Sequence, residues 1–195
     1  RITEAVKFYE EIITQKPGDK QTLRMLGELY TQLENYNQAA RSYREMFSDD
    51  PEVVREVIQR LEELLKKVEG NVEIREILAD IYMKALDPEA AVEKLKAIIR
   101  LEATKGNDVI QKLRNILRNY PGLPSAMLVL AEALQRQGSY SEAVENYYQL
   151  VRTKPEFTEE VIAGYRQVLA ACPEQVLARS YLGEALLSQG KVLEA

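Results

Sequence analysis

The 195-residue sequence contains no histidine and one cysteine, Cys172. Without histidine, neither a Ser-His-Asp triad nor a Cys-His pair can form, and a common zinc and haem ligand is missing. A lone cysteine cannot form an internal disulfide, and no histidine or basic cluster near Cys172 would activate its thiol. We therefore expect no enzyme activity, no metal site and no cofactor in this chain.

Long apolar runs and a basic charge balance are also missing. No stretch approaches the roughly 18 consecutive apolar residues of a membrane span. The formal net charge is −5, and acidic residues alternate with basic ones, whereas phosphate binding needs clustered lysine and arginine. Only 9 glycines and 7 prolines interrupt a sequence rich in strong helix formers. The composition predicts an all-α protein that binds neither nucleic acid nor a membrane.

An internal repeat with a period of 52 organises the chain. Gly27 and Ala79 are separated by 79 − 27 = 52 positions, and several other columns follow the same spacing. The columns are Gly27, Ala79, Ala131 and Gly183; Leu26, Leu78, Leu130 and Leu182; Ala39, Ala91, Ala143 and Ala195; Val57, Val109 and Val161; and Ile58, Ile110 and Ile162. Agreement of five columns at one spacing indicates one domain of repeats at about 1–52, 53–104, 105–156 and 157–195.

Each repeat divides into three amphipathic helices, judged from the apolar periodicity and the breakers between segments. The predicted helices are 3–16, 20–34 and 37–49; 53–68, 71–86 and 88–102; 107–119, 123–137 and 141–153; then 157–171, 174–189 and an incomplete last helix. The Gly27 and Ala39 columns place small residues on consecutive helices, where two backbones can approach closely. One such hairpin cannot cover its own apolar face, so the repeats should stack into a solenoid.

These residues resemble the tetratricopeptide repeat (TPR) family. The resemblance is close where Leu23, Leu26, Gly27, Tyr30, Ala39, Tyr43 and Pro51 stand at the family's spacing, with Ala5, Tyr9 and Pro17 before them. It returns at Leu130, Ala131, Ala143, Tyr147 and Pro155, and again at Leu182, Gly183 and Ala195. The resemblance implies an all-α, right-handed helical-repeat solenoid that binds proteins.

The columns repeat every 52 residues, whereas the period of the family is 34. The family's period is also present once, between Pro17 and Pro51 (51 − 17). A repeat of 52 has one helix more, so strict up-and-down stacking would reverse every second repeat. The columns instead suggest that each repeat keeps the same surroundings. We therefore expect three-helix units in which one helix crosses the other two, similar to armadillo repeats.

An acidic column is the main candidate for partner binding. Glu28, Asp80, Glu132 and Glu184 each follow the small residue of their repeat. The resemblance implies that this position faces a concave groove, where four carboxylates would form a ladder that attracts a basic protein or peptide. The alternative is that these are ordinary exposed acidic residues.

A second candidate surface lies three and four positions further along each helix. It includes Gln32, Lys84 and Arg136, whose polar side chains would suit an extended peptide or a partner helix. The alternative is ordinary groove lining without a partner. Tyr30, Tyr43, Tyr82 and Tyr147 have the periodicity of core residues.

The predicted function is a protein–protein interaction scaffold that holds an extended or helical segment in its groove. The alternative is a recruiting or regulatory spacer for an enzyme domain elsewhere in a longer protein, since both ends of the sequence resemble cut helices. Apolar faces at such ends would also favour an end-to-end homodimer. The free thiol and the lack of a targeting signal make the cytoplasm the default compartment.

Overall fold

The computed structural model describes residues 1–191, which form eleven α-helices, two short 3₁₀ helices and no strand. The α-helices are α1 (Ile2–Gln15), α2 (Lys20–Gln32), α3 (Tyr36–Glu45), α4 (Pro51–Lys67), α5 (Val72–Lys84), α6 (Pro88–Leu101), α7 (Gly106–Asn119), α8 (Pro124–Arg136), α9 (Tyr140–Thr153), α10 (Thr158–Ala171) and α11 (Val176–Ser188). The 3₁₀ helices are Ala103–Lys105 and Pro155–Phe157. The all-α helical-repeat fold is confirmed; the predicted last helix and Ala195 lie outside the described residues.

Short polar side chains begin most helices of the first half. Each accepts a hydrogen bond from a backbone N–H of the first turn, which the helix itself leaves unpaired. The capping residues are Asp19, Asn35, Asp50, Asn71 and Asp87. Helix α3 ends at Glu45 and not near residue 49 as predicted, and the backbone is extended at Asp50, which Pro51 favours.

A left-handed residue ends several helices, and it recurs with the period of the sequence. Gly138 and Gly190 have φ of 83° and 73°, and Glu34 and Leu86 have φ of 57° and 60°. Successive members of this series differ by 52 in residue number (86 − 34, 138 − 86, 190 − 138). Glycine adopts this conformation readily, whereas a residue with a Cβ does so at a cost. The left-handed residue that ends a helix is thus common to the repeats, but the amino acid at that position differs among them.

The chain divides into two compact units, unit 1 from Arg1 to Leu101 and unit 2 from Glu102 onward. The boundary lies next to the predicted limit between the second and third repeats. Unit 1 contains α1–α6 and a core that α2, α3, α4 and α5 build. Leu23, Leu61, Ile74 and Leu78 are among its fully buried side chains.

Within unit 1, side-chain contacts connect alternate helices along the chain. The ion pairs are Arg24–Glu56 between α2 and α4, Arg41–Glu73 between α3 and α5, and Glu62–Lys94 between α4 and α6. The members of each pair are separated by 32 positions along the chain (56 − 24, 73 − 41, 94 − 62). Helices α2, α4 and α6 therefore form one layer, and α3 and α5 lie in the other.

Unit 2 shows the same alternation. Arg114 on α7 donates to Glu142 on α9 at 2.5 Å, and Gln135 on α8 donates to Gln167 on α10 at 3.0 Å. Tyr148 on α9 stacks on Tyr181 of α11, with ring centroids 4.0 Å apart. Helices α7, α9 and α11 form one layer, and α8 and α10 lie in the other.

The expectation that one helix in three crosses the other two is wrong within each unit. Asn71 donates to Asn37, and their separation of 34 positions corresponds to two consecutive helices with their links. A residue and the residue 34 positions later therefore lie in the same layer. A shift of 52 positions is instead a shift of three helices, which moves a residue into the opposite layer. The sequence columns therefore repeat local helix properties and not one position in the stack.

Candidate functional site

Helices α2 and α3 approach closely at Gly27, as the column of small residues predicts. A Cβ added to Gly27 would lie 2.3 Å from Cε1 and 2.5 Å from Cζ of Tyr43. The Tyr43 side chain is only 2% exposed, so the ring fills the space in which a larger residue would stand. Burial raises the pKa of the Tyr43 hydroxyl. This ring forms part of the floor of a groove between α2 and α4.

Two ion pairs connect α2 with α4 beside this groove. Arg24 donates to both carboxylate oxygens of Glu56, at 2.5 and 2.6 Å, and Arg60 donates to Glu28 at 3.0 Å. Each helix contributes one arginine and one glutamate that are four residues apart and therefore lie on one face of that helix. The two ion pairs together fix the position of α2 along α4. The hydrogen bond from Arg24 lowers the pKa of Glu56.

The groove contains a cavity of about 280 Å³. Its lining residues are Glu28, Thr31, Gln32, Tyr43, Arg60, Glu63, Leu64 and Lys67. Tyr43 and Leu64 are each 2% exposed and form an apolar floor, while the charged and amide groups stand at the rim. Two of the seven residues that the sequence predicts for partner binding, Glu28 and Gln32, lie in this groove.

The structure does not assemble the predicted acidic ladder within either unit. In unit 1, Glu28 lies on α2 and Asp80 on α5, which belong to opposite layers. In unit 2, Glu132 lies on α8 and Glu184 on α11, again in opposite layers. The physical reason is the three-helix shift between members of the column. In addition, Glu28 does not present a free carboxylate, because it pairs with Arg60.

The remaining predicted residues are placed separately. Lys84 is exposed at the end of α5, with its Nζ 5.0 Å from the centroid of the Phe47 ring. Arg136 is exposed at the end of α8 in unit 2. Neither residue lines the groove between α2 and α4.

The four tyrosines that the sequence assigns to the core are packed as predicted. Tyr43 and Tyr147 are buried, and the half-buried Tyr30 and Tyr82 pack against the core of unit 1. The hydroxyl of Tyr82 donates to Glu62 at 2.8 Å, and that of Tyr30 donates to Glu10. Burial, together with the hydrogen bond to Glu10, raises the pKa of Tyr30 to about 12.

The ion pairs between alternate helices were not predicted from the sequence. Oppositely charged or amide residues 32 positions apart recur as Arg24 and Glu56, Glu28 and Arg60, Arg41 and Glu73, Glu62 and Lys94, Gln135 and Gln167, and Glu159 and Lys191. A search for complementary charges at spacings close to two helices would have found them. Complementary residues 32 positions apart thus indicate which helices are in contact, whereas the columns spaced by 52 do not.

Neither a metal cluster nor a membrane span occurs in the described part of the chain. No three or more His, Cys, Asp or Glu side chains of residues 1–191 come together in a way that could hold a metal ion. Over the same residues, every helix is too short or too polar to cross a bilayer.

Comparisons with known proteins identify repeats in both units. Tetratricopeptide repeat models match residues 22–46, which cover most of α2 and α3, and residues 110–156, which run from α7 through α9. No sequence among the curated proteins matches the chain significantly.

Solved structures give weak similarities over most of the chain. A crystal structure of MamA is 17% identical, with a TM-score of 0.31 over 100% of this chain and 92% of MamA. The C-terminal part of a TPR repeat-containing protein from Cytophaga hutchinsonii is 18% identical, with a TM-score of 0.37 over 97% of this chain and 76% of that one. Yeast Tom70 is 13% identical, with a TM-score of 0.30 over 99% of this chain and 53% of Tom70.

The family assignment depends on the matched segments and on the residues in them. Gly27 and Tyr43 form the close contact of α2 with α3 inside the first segment, where Ala39 is also buried, and Ala131, Ala143 and Tyr147 are buried inside the second. The chain therefore contains segments that match the tetratricopeptide repeat family at residues 22–46 and 110–156.

Proposed function

We propose that unit 1 binds an extended or helical segment of a partner protein in the groove between α2 and α4. A protein-interaction scaffold is the general function that the TPR family and the helical-repeat fold support. The groove is the place of binding in this chain, and Glu28 and Gln32 are among the residues that contact the partner.

The cavity between α2 and α4 is the observation that carries the proposal. Its volume of about 280 Å³ is enough for one or two partner side chains, and its floor of Tyr43 and Leu64 offers an apolar contact. The amide of Gln32 and the paired charges of Glu28 and Arg60 stand at the rim, where they can hydrogen-bond to a partner's backbone. Because the ion pair between α2 and α4 is already formed, this rim needs little ordering when a partner binds.

A basic partner remains part of the proposal. The groove itself has two acidic residues, Glu28 and Glu63, and two basic ones, Arg60 and Lys67. A preference for a basic segment must therefore come from carboxylates outside the groove and from the net charge of −5. Such long-range attraction increases the association rate and weakens with salt.

The location of binding is tested by filling the groove. Peptides would be selected against the wild-type protein from a random phage-displayed library, and their affinities measured by fluorescence anisotropy. We expect Gln32→Trp to reduce the affinity of these peptides at least tenfold. Gln21→Trp places the same side chain at an exposed position of α2 outside the groove and should have no effect. Equal affinities for wild type and Gln32→Trp would rule out the groove.

The charge preference is tested separately. Replacing Glu28, Asp80, Glu132 and Glu184 together with glutamine should weaken capture of lysine-rich peptides and reduce the salt dependence of binding. Glu56→Gln breaks a comparable ion pair between the same two helices without altering the cavity lining, so it controls for loss of the helix contact. Unchanged affinity in the quadruple variant would remove the basic preference.

A further inference from the structure

A second and larger cavity lies on another surface of unit 1. Its volume is about 500 Å³, and it is formed where α3 ends, α4 begins and α5 ends. The apolar side chains that line it are Phe47, Val54, Ile58, Tyr82 and Leu86, and we call it the Leu86 pocket. It shares no lining residue with the groove between α2 and α4.

Leu86 is a residue type that its position in the fold does not require. Its φ of 60° lies in the left-handed region, and 78% of the residue is exposed to solvent. The same helix-ending position is glycine in unit 2, at Gly138 and Gly190. A leucine at this position costs free energy for two reasons: its Cβ disfavours a left-handed backbone, and its apolar side chain is exposed to water. Its presence beside an apolar cavity makes this surface a candidate for binding a partner.

The rim of the Leu86 pocket carries two cations without a carboxylate partner. Among residues 1–191, neither Arg55 nor Lys84 has a carboxylate within 4.0 Å; Arg55 donates only to the carbonyl of Pro51, at 3.4 Å, and Lys84 lies over the Phe47 ring. Asp87 follows Arg55 by 32 positions (87 − 55), the spacing at which Arg24 pairs with Glu56. Its carboxylate instead accepts a hydrogen bond from the backbone N–H of Ala90 and caps α6.

The charges at the rim are therefore not equivalent. Asp87 faces the N-terminus of α6, whose backbone dipoles offset part of its charge. Asp49 is the other acidic residue of the lining, and neither Arg55 nor Lys84 forms an ion pair with it or with Asp87, so both cations can pair with a carboxylate of a partner. A carboxylate that replaces water at these two cations forms charge-assisted hydrogen bonds.

We infer that the Leu86 pocket binds a segment of a partner protein in which a leucine or phenylalanine stands beside an acidic residue. The apolar side chain fills the cavity between Phe47, Ile58 and Leu86, and the acidic side chain pairs with Arg55 and Lys84. The volume of about 500 Å³ lies within the range of pockets that bury a ligand. This surface is additional to the groove and takes a partner of the opposite charge preference.

The chemistry of the partner is tested with three labelled peptides. The first is a fluorescein-labelled peptide with a Leu-Phe pair flanked on each side by two glutamates; the second has lysines in place of the glutamates, and the third has Ser-Ser in place of Leu-Phe. We expect saturable binding of the first by fluorescence anisotropy and at least tenfold weaker binding of the other two. Equal binding of all three, or no saturation by the first up to about 1 mM, would overturn the inference.

The location is tested with variants of the full chain. Leu86→Gly should weaken binding of the first peptide at least tenfold while raising the thermal midpoint of unfolding, so lost binding cannot be attributed to misfolding. Arg55→Gln should weaken it several-fold, whereas Lys66→Gln, an exposed cation on α4 outside the pocket, should not. Gln32→Trp should leave it unchanged, which separates this surface from the groove. Unaltered binding by Leu86→Gly contradicts the inference.

Discussion

Replacing Gly27 with alanine tests whether the close contact of α2 with α3 sets the packing of unit 1. In an open helix this change would stabilise the protein by about 1 kcal/mol, because alanine has the higher helix propensity. In this protein the added methyl group would stand 2.3 to 2.8 Å from three atoms of the Tyr43 ring. The close contact with Tyr43 therefore predicts a loss of stability, whereas the helix propensity predicts a gain.

The expected balance is a net loss of stability. The Tyr43 ring is 2% exposed, so it cannot move into solvent without opening the core. Overpacking of this kind costs about 1–3 kcal/mol, and the short distances place Gly27→Ala near the upper value. Subtracting the propensity gain of about 1 kcal/mol leaves a predicted destabilisation of about 2 kcal/mol.

Urea unfolding followed by circular dichroism at 222 nm measures this change. Gly70→Ala is the matched control in the same unit, because nothing lies within 4 Å of a Cβ added there. We expect the control to be neutral or slightly stabilising, by at most about 1 kcal/mol. Gly27→Ala should lower the transition midpoint without changing the slope of the transition.

A double-mutant cycle decides whether Tyr43 causes the loss. Tyr43→Leu removes the ring atoms that the new methyl group would meet. In that background, Gly27→Ala should change sign and stabilise the protein by up to about 1 kcal/mol. The same destabilisation in both backgrounds would refute the reasoning, because the cost would then come from elsewhere in unit 1.

Three further changes have outcomes that the contacts predict. Gly164→Ala should destabilise unit 2 by about 1–2 kcal/mol in urea unfolding, because its methyl group would lie 2.5 Å from Cζ of the buried Tyr147; a neutral result would show that the ring can move. Glu34→Gly should stabilise unit 1 by about 0.5–1 kcal/mol, because φ is 57° there, and no gain would show that the left-handed backbone costs nothing. The pKa of Glu56 is lowered by Arg24, so the pair stabilises the fold above the ordinary carboxyl pKa of 4.5 and this is lost as the pH falls through the folded value. Glu56→Gln should therefore cost about 0.5–1 kcal/mol at pH 7 and progressively less as the pH falls below 4.5, and a pH-independent difference would contradict the assignment.

Much of the fold could be predicted from local sequence, because helix formation depends on neighbouring residues. Apolar periodicity and breakers placed every described helix within about four residues of its observed limits. The small residue at Gly27 also predicted where α2 and α3 approach. Less of the candidate site could be predicted. Glu28 and Gln32 line the groove, but the groove requires Arg60 and Leu64 from α4, whose position depends on stacking.

The ladder of four carboxylates shows why the prediction of the site was incomplete. A column of equivalent residues indicates one face only if the period of the sequence equals the period of the stack. Here the sequence repeats every three helices, and each layer repeats every two. Glu28 and Asp80 are thus equivalent in their helices but lie in opposite layers of unit 1.

The sequence by itself determined the helices, their ends, the contact of small with large residues and the resemblance to the TPR family. These properties depend on residues close together in the chain, where periodicity and capping leave a direct pattern. Only the tertiary structure decided which helices share a layer, and hence that Glu28 pairs with Arg60 and that Leu86 stands beside Phe47 and Ile58. Layer neighbours are two helices apart, and their contacts depend on how whole helices pack, which no local pattern records.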